Sequence, residues 1–486
     1  MIINIIFALF IGMILITSLL KNIKIISVIN ITFTMLIGGC FVNIIDNVYK
    51  YEHVSFLNNF LYIDSLNVIQ IFIIMTISII SLLYSHKYMI NQIQDETINL
   101  SKAKTFYILF TLFTMSMVIV AISNSIVLMW MGLEATTIAT AFLIGFSKNK
   151  LSLEAAWKYI IICSLGIGIG LVGIILFIYS AGGGDTSEIT NWTYLVDKAG
   201  VINKDIAKIA FVFIFIGIGT KAGIAPMHTW LPDGHSEAPS PVSAMMSGVL
   251  LNLALYVIVR FYIIIKLVDG LENLKYLFIV FGCISLIISS FSMLTQNNYK
   301  RLLAYSSIEN IGIMTLGFGI GGYIAVFGAL LHSIVHAFGK TLLFLVSGNI
   351  LSVYKTKRMD KVQNLIKTMP MNAILLIVGM LIIVGSPPFA SFLSEYNIII
   401  GGIQRDYYIP IIIFSICLLI AFVGFLKSFI PMTLEQDNSQ IYTKSDKDKE
   451  NILPIIIALV FIVLTSVFFG GYLTDILDRA TLIING

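Results

Sequence analysis

The chain has 486 residues, 58% hydrophobic and only 12% charged, with a formal net charge of +4. An ordinary soluble domain is about half apolar and about a quarter charged, so that class is excluded, and no basic patch with interleaved aromatics points to nucleic acid. Cys40, Cys163, Cys283 and Cys417 lie far apart in different apolar runs without metal-ligand spacing, and read as buried inert thiols. No Gly-rich phosphate loop follows a strand, and Gly182-Gly183-Gly184 reads as a flexible turn. The sequence therefore implies neither a metal nor a cofactor.

The apolar residues come in runs of roughly 18 to 28, the length that crosses a hydrocarbon core of about 30 Å. Fourteen spans are predicted, near 1–20, 24–45, 64–84, 105–122, 125–146, 155–181, 207–229, 241–266, 274–295, 302–320, 323–352, 371–399, 409–430 and 452–473. The first lacks a charged n-region and a small-residue cleavage site, so it reads as a span and not as a cleaved signal. The mixed-charge stretch 432–451 reads as a solvated loop. The expected fold is an all-α polytopic membrane protein, one integral membrane domain over 1–486.

A charge at the bilayer centre costs a few kcal/mol or more, so ionisable residues in mid-span are candidates for function. Span 5 carries Glu134, span 7 Lys221, span 10 Glu309, span 11 His332, His336 and Lys340, and span 12 Glu395. Two of these spans are broken. Pro226 follows Lys221 and frees the carbonyl of Ala222, and Gly385-Ser386-Pro387-Pro388 precedes Glu395. Irregular backbone at membrane depth must be buried in protein or line a wet cavity, and paired broken helices with ionisable residues point to an ion site.

His332, His336 and Lys340 follow i, i+4, i+8 spacing, each step about 6 Å of rise and about 40° of rotation, which makes one slanted stripe. Histidine exchanges protons near neutral pH, and neighbouring charge tunes such groups, as a proton wire requires. Simpler readings stand beside this one. A single Glu–Lys pair is often a structural clamp, and a lone histidine is more often hydrogen-bonded packing. Glu154 and Lys158 read as a local i, i+4 ion pair. Lys158, Lys208, Arg260 and Lys427 sit near span ends, where snorkelling explains them. His53, His86 and His235 receive no role. It is the whole set, two breaks with central charges, that coincidence explains poorly.

The segments Lys221-Ala-Gly-Ile-Ala-Pro-Met-His-Thr-Trp-Leu-Pro-Asp-Gly-His-Ser-Glu-Ala-Pro, Lys300-Arg301-Leu-Leu-Ala-Tyr-Ser-Ser and His332-Ser-Ile-Val-His-Ala-Phe-Gly-Lys-Thr-Leu-Leu-Phe closely resemble the antiporter-like subunits of respiratory complex I and its relatives, across essentially all fourteen spans. Glu154-Ala-Ala-Trp-Lys-Tyr and Ser307-Ile-Glu-Asn-Ile-Gly look most like the F-type membrane subunit of hydrogenase-4 and related group 4 energy-converting hydrogenases. No additional long amphipathic helix is expected after residue 473. The resemblance implies two inverted repeats, spans 4–8 (105–266) and 9–13 (274–430), after three leading spans (1–104) and before a last one (452–473).

The same resemblance implies a Glu134–Lys221 pair, relay positions at His332, His336 and Lys340, and a terminal ionisable residue at Glu395. His228, Glu309 and Lys158 are accessory candidates. The family's span 8 lysine falls at Asn252, which cannot titrate, so the central link would use water or the span 11 stripe. The implied function is translocation of protons, or sodium, within a membrane oxidoreductase complex of group 4 hydrogenase or formate-hydrogen type. Its partners would be other membrane subunits and, through them, a soluble iron–sulfur or hydrogenase arm. The alternatives are a multisubunit sodium/proton antiporter component or a complex I subunit. A stand-alone transporter or intramembrane enzyme is disfavoured, since no nucleophile–base pair or metal-ligand cluster is found. The implied location is a prokaryotic cytoplasmic membrane.

Loop charge sets an expected orientation. Seventeen lysines and arginines, among them Lys148, Lys150, Lys300, Arg301, Lys357, Lys444, Lys447 and Lys449, fall on one side, against seven on the other. The richer side should face the cytoplasm, leaving both termini outside. Reporter fusions after residues 360 and 445 should be cytoplasmic, and fusions at residue 190 and the C-terminus external. A cytoplasmic C-terminus would mean a span count wrong by one.

Overall fold

Backbone polar groups in lipid must be satisfied inside each segment, and the chain does this almost wholly with helices. A computed structural model describes residues 2–182, 188–434, 450–467 and 470–485. The loop expected over 432–451, apart from its two ends, and most of the Gly182-Gly183-Gly184 turn lie outside the described residues, as do Lys444, Lys447 and Lys449.

The helices are α1 (Ile2–Leu19), α2 (Ile23–Tyr51), α3 (Ser65–Gln94), α4 (Leu100–Ile122), α5 (Ile126–Ile144), α6 (Lys150–Ser180), α7 (Lys204–Ala222), α8 (Leu231–Glu237), α9 (Ser240–Lys266), α10 (Lys275–Met293), α11 (Tyr299–Ile320), α12 (Gly322–Tyr354), α13 (Pro370–Ile383), α14 (Ala390–Gln404), α15 (Tyr408–Leu434), α16 (Leu453–Val467) and α17 (Tyr472–Asn485). Each predicted span coincides with one helix or with a broken pair. Among the described residues ten helices are long and apolar enough to cross a membrane, or eleven with the bent pair α16–α17. The helices α7, α11, α13 and α14 fall short because they carry charge and polar residues or are cut by breaks. Asparagine side chains cap α2, α4, α6, α7 and α11, where Asn22, Asn99, Asn149, Asn203 and Asn298 accept from first-turn backbone N–H groups, the usual N-cap chemistry.

Three features depart from the sequence reading. A hairpin, His53–Phe56 with Leu61–Asp64, joins α2 to α3 in antiparallel register, His53 opposite Asp64. The last span is shorter than 452–473: α16 stops at Val467, and after Gly470-Gly471 the chain runs into α17, bent by 75°. Although no long amphipathic helix was expected there, α17 has 14 residues and buries Ile476, Leu477, Ala480 and Ile484, packing against α3 and α12.

The third departure is Arg260, which does not snorkel. It is 1% exposed and donates from both terminal nitrogens to Asp64, at 2.7 and 2.6 Å. Its Nε donates to Tyr256, and Trp192 lies under its guanidinium at 4.5 Å. Asp64 is also the N-cap of α3, forming a capping box with Asn67, and Asn67 itself accepts from Arg260. One carboxylate thus ties the start of α3 to the far end of α9.

Every α9 residue before Lys266 and every α12 residue over 325–350 is buried, whereas α1, α2 and α15 bury only about a third of their residues. Asn252 and the His332–His336–Lys340 stripe therefore occupy the centre of the bundle. Close packing brings α6 and α7 together: a Cβ at Gly217 would run into the backbone of Gly170, and one at Gly166 would strike Thr220. Small residues of this kind let membrane helices approach.

Removing one partner of a buried pair costs about 3–5 kcal/mol, because the remaining charge is stranded. Asp64→Ala should therefore lower the thermal unfolding midpoint of the detergent-solubilised chain markedly. Asp46→Ala, which breaks the exposed Asp46–Lys50 pair, should leave it in place. Equal midpoints for the two variants would refute the clamp.

Candidate functional site

Lys221 occupies the last turn of α7, whose C-cap Gly223 adopts a left-handed φ of 77°. Beyond it lies the predicted break, with Pro226 in a cis peptide. The carbonyl seen to be rescued is that of Thr220, which accepts from the Trp230 indole at 2.9 Å, while Ser285 Oγ accepts from the Ala225 N–H at 2.9 Å. Lys221 is fully buried. It donates to Thr137 Oγ1 at 2.8 Å and to the Tyr159 hydroxyl at 2.5 Å, with its ammonium 4.8 Å from the Tyr159 ring centre.

The expected Glu134–Lys221 contact is not direct. Among the described residues no carboxylate lies within ion-pair distance of Lys221. Glu134 instead accepts from Ser164 Oγ at 2.9 Å, and its second oxygen is buried without a protein partner. The two charges still feel one another, with Thr137 and Tyr159 holding the lysine itself. Glu134 and Thr137 are one helical turn apart on α5, so one helix face presents a carboxylate and a hydroxyl at different depths.

From Tyr159 an aromatic path leads inward. Its ring meets Trp230 edge-on at 4.8 Å, and Trp230 stacks on His235 at 6.4 Å. His235 stacks in turn on Phe344 of α12 at 5.3 Å, fully buried with neither ring nitrogen bonded to protein. It lies within electrostatic reach of Lys340 and Lys300. Sequence reading gave His235 no role. The available signal was its place in Pro-Asp-Gly-His-Ser-Glu, in the half-helix after the break, where a loop residue and a site residue look alike.

The stripe on α12 is buried along its length, but its three members face different partners. His332 is held at both nitrogens, by Ser394 Oγ at 2.9 Å and Asn310 Oδ1 at 3.0 Å. His336 has no protein partner at either nitrogen. Lys340 donates to the Leu303 carbonyl at 3.1 Å and to Ser306 Oγ. Asn252 lies beside a π-turn over Met246–Leu250, a distortion common at functional sites. It donates to Gly248 and, across to α12, to the Ser333 carbonyl at 3.1 Å, leaving its oxygen unpartnered.

Glu309 and Glu395 are both buried, each with one oxygen unpartnered. Glu309 is close enough to Lys340 and to Glu395 to interact electrostatically with both. The Glu395 carboxylate fills the space left by Gly385 in the second break, where any Cβ would collide with it. Gly385 has a φ of 68°, so glycine is required there twice over.

On the side that loop charge assigns to the cytoplasm, two clusters close the bundle. The expected Glu154–Lys158 pair forms at 2.8 Å; Lys158 also reaches Asp233 at 3.1 Å, and Asp233 takes Arg301 at 2.6 Å. Beside them Lys357 pairs with Glu237 at 2.7 Å, and buried Lys300 donates to the Ala238 carbonyl at 3.1 Å. His228 lies largely buried near Tyr305, 6.4 Å between ring centres, apart from the stripe. Among the described residues no group of three or more His, Cys, Asp or Glu is placed to hold a metal ion.

Residues 123–421 match the family described as NADH:quinone oxidoreductase/Mrp antiporter, TM. A hydrogenase-4 component F homolog from Methylacidiphilum infernorum is 34% identical over 350 residues, covering 72% of this chain and 74% of the relative. The fold matches a chain of the membrane-bound sulfane sulfur reductase, an archaeal respiratory membrane complex, with TM-score 0.88 at 22% identity, over 100% of this chain and 97% of that one. It also matches a chain of the Mrp complex from Dietzia sp. DQ12-45-1b, with TM-score 0.84 at 17% identity, over 99% and 98%. The matched region contains both breaks and every ionisable residue of the candidate site, and the chain belongs to the NADH:quinone oxidoreductase/Mrp antiporter membrane family.

Proposed function

We propose that this chain is the proton-translocating subunit of a membrane-bound energy-converting complex of hydrogenase type, seated in a prokaryotic cytoplasmic membrane with both termini outside. The observation that carries the reading is a run of ionisable groups through the bundle, half-buried Glu134 and buried Lys221, His235, His336, Lys340, Glu309 and Glu395, in which neither lysine is locked by a carboxylate. Hydroxyls and carbonyls hold each lysine, so each can give up its proton without stranding a paired anion. The chain supplies no redox group, and coupling comes through neighbouring membrane subunits and a soluble redox arm. The relationship to a hydrogenase-4 component F homolog supports this form. The likeness in fold to an Mrp chain favours a second reading, an antiporter component with no redox partner. Co-purification with hydrogenase or iron–sulfur subunits, or without them, decides between the two.

Two inverted repeats, 105–266 and 274–430, organise the proposed route. In each, the second span carries a glutamate (Glu134, Glu309) and the fourth is broken beside an ionisable residue (Lys221, Glu395). Glu309 is then the second-repeat counterpart of Glu134. Protons pass from the Glu134–Lys221 end by way of His235 and His336 to Lys340, Glu309 and Glu395. Imidazole nitrogens buried without protein partners suit internal water, which a relay over these distances needs.

Lys221→Ala and Glu134→Gln should each lower proton pumping by the assembled complex in everted vesicles by about tenfold or more. Full pumping by an assembled Lys221→Ala complex would sink the assignment. For the central link, His336→Gln and His235→Gln keep side chains that can hydrogen-bond but cannot titrate. Both should pump at a small fraction of the normal rate with assembly intact. If the double variant pumps normally, the route bypasses these imidazoles, and water at the free Asn252 oxygen is the better candidate.

A further inference from the structure

Far from the ionisable run, six helix ends converge on one cleft: the end of α9, the start of α10, the end of α11, the start of α12, the end of α14 and the end of α17. The cleft is about 460 Å³, and Lys266, Lys275 and Arg405 line it together with Glu272, Tyr262 and Gly322. It lies on the face that loop charge places outside, and no part of the proposed proton route reaches it.

The electrostatics of this cleft are one-sided. Among the described residues no carboxylate comes within ion-pair distance of Lys266, Lys275 or Arg405. Lys266 is committed to backbone oxygens, donating to Ile484 at 2.7 Å and Asn485 at 2.9 Å. Lys275 stands over the rings of Tyr276 and Tyr407, at 5.5 and 5.9 Å. Arg405 reaches over the turn at Gly322, where a Cβ would lie 2.7 Å from its Nη1. Gly322 opens α12 without a side-chain cap, whereas Lys275 continues a 3-10 turn, Glu272–Leu274, whose carbonyls already take its N–H. A helix start carries partial positive charge and favours anions, and Arg405 adds a further cation beside the uncapped start of α12. The only lining carboxylate, Glu272, is exposed and pairs with none of them.

The rim is apolar. Tyr276, Tyr323 and Leu482 are exposed beside the cleft, at the level where aromatic side chains mark the membrane interface. We propose that this cleft binds a phosphate group at the membrane interface, with Arg405 and Lys275 as its main ligands. Two sources share that chemistry, the headgroup of an anionic phospholipid and free inorganic phosphate. The apolar rim, which would take the acyl chains, favours the lipid.

The test uses the full chain purified in detergent, offered phosphatidylglycerol or phosphatidylcholine in mixed micelles, with bound lipid counted by native mass spectrometry. Wild type should retain phosphatidylglycerol in preference to phosphatidylcholine. Arg405→Gln combined with Lys275→Gln should lower that retention about tenfold, while Lys102→Gln, at the opposite face, should leave it unchanged. An unchanged thermal midpoint shows that the double variant is folded. If excess inorganic phosphate protects the chain against unfolding in an Arg405-dependent way and no phosphatidylglycerol is retained, the site is a phosphate site filled from solution. Equal retention of the two lipids without phosphate protection, or wild-type retention by the folded double variant, overturns the proposal.

Discussion

The structure depends on one constraint, the cost of holding charge inside a low-dielectric bundle. The protein meets it in two ways that have opposite consequences. Arg260 is neutralised outright by Asp64, with two short hydrogen bonds and an aromatic floor. A proton cannot leave such a pair cheaply, and the arrangement works as a clamp. Lys221 and Lys340 are equally buried but are held by neutral oxygens, from Thr137 and Tyr159 in one case and from Leu303 and Ser306 in the other. A neutral cradle tolerates both protonation states, so depth alone does not separate a locked cation from one that can titrate. The identity of the partner does.

The helix breaks follow from the same constraint. Opening a helix in the bilayer exposes donors and acceptors, and each must be met from elsewhere. At the first break Trp230 caps the Thr220 carbonyl and Ser285 takes the Ala225 N–H. At the second, Ser466 on α16 takes the N–H of Ala390, and Glu395 fills the pocket that Gly385 leaves. Each break is therefore a junction between helices as well as an interruption of one. Trp230, which repairs the first break, packs against Tyr159, and Glu395, which fills the second, belongs to the ionisable run itself. Movement at a break would be felt by the groups that hold protons.

Much of this was legible in the sequence because hydrophobic length and proline position act locally. The fourteen apolar runs, both interruptions and the mid-span charges of α5, α7, α11, α12 and α14 can be read without knowing what packs against what. What could not be read depends on partners distant in the chain. Arg260 looked like a snorkelling residue because Asp64 is 196 positions away. His235 looked like a loop histidine because the fold of α8 back under α12 is tertiary information. The family resemblance implied a Glu134–Lys221 pair, but Ser164 and Thr137 take up their hydrogen bonds. The hairpin at His53–Asp64 and the turn into α17 were missed because short strands and a 14-residue helix carry little periodicity beside long spans.

The stripe on α12 shows how a pattern can be right in sequence and still be several things in space. Spacing of four residues keeps His332, His336 and Lys340 on one face, but about 40° of drift per step turns each towards a different neighbour. His332 meets α14 and α11 through Ser394 and Asn310, and Lys340 meets α11 one turn from its start, at Leu303 and Ser306. Only His336, between them, is left without a protein partner. A side chain fixed at both nitrogens must break a hydrogen bond before it can turn, whereas one fixed at neither can reorient at little cost. The outer members of the stripe therefore anchor α12 to α11 and α14, and the middle one is left free to reorient. This division of labour explains why a helix so deeply buried can carry three titratable groups without locking any two of them together.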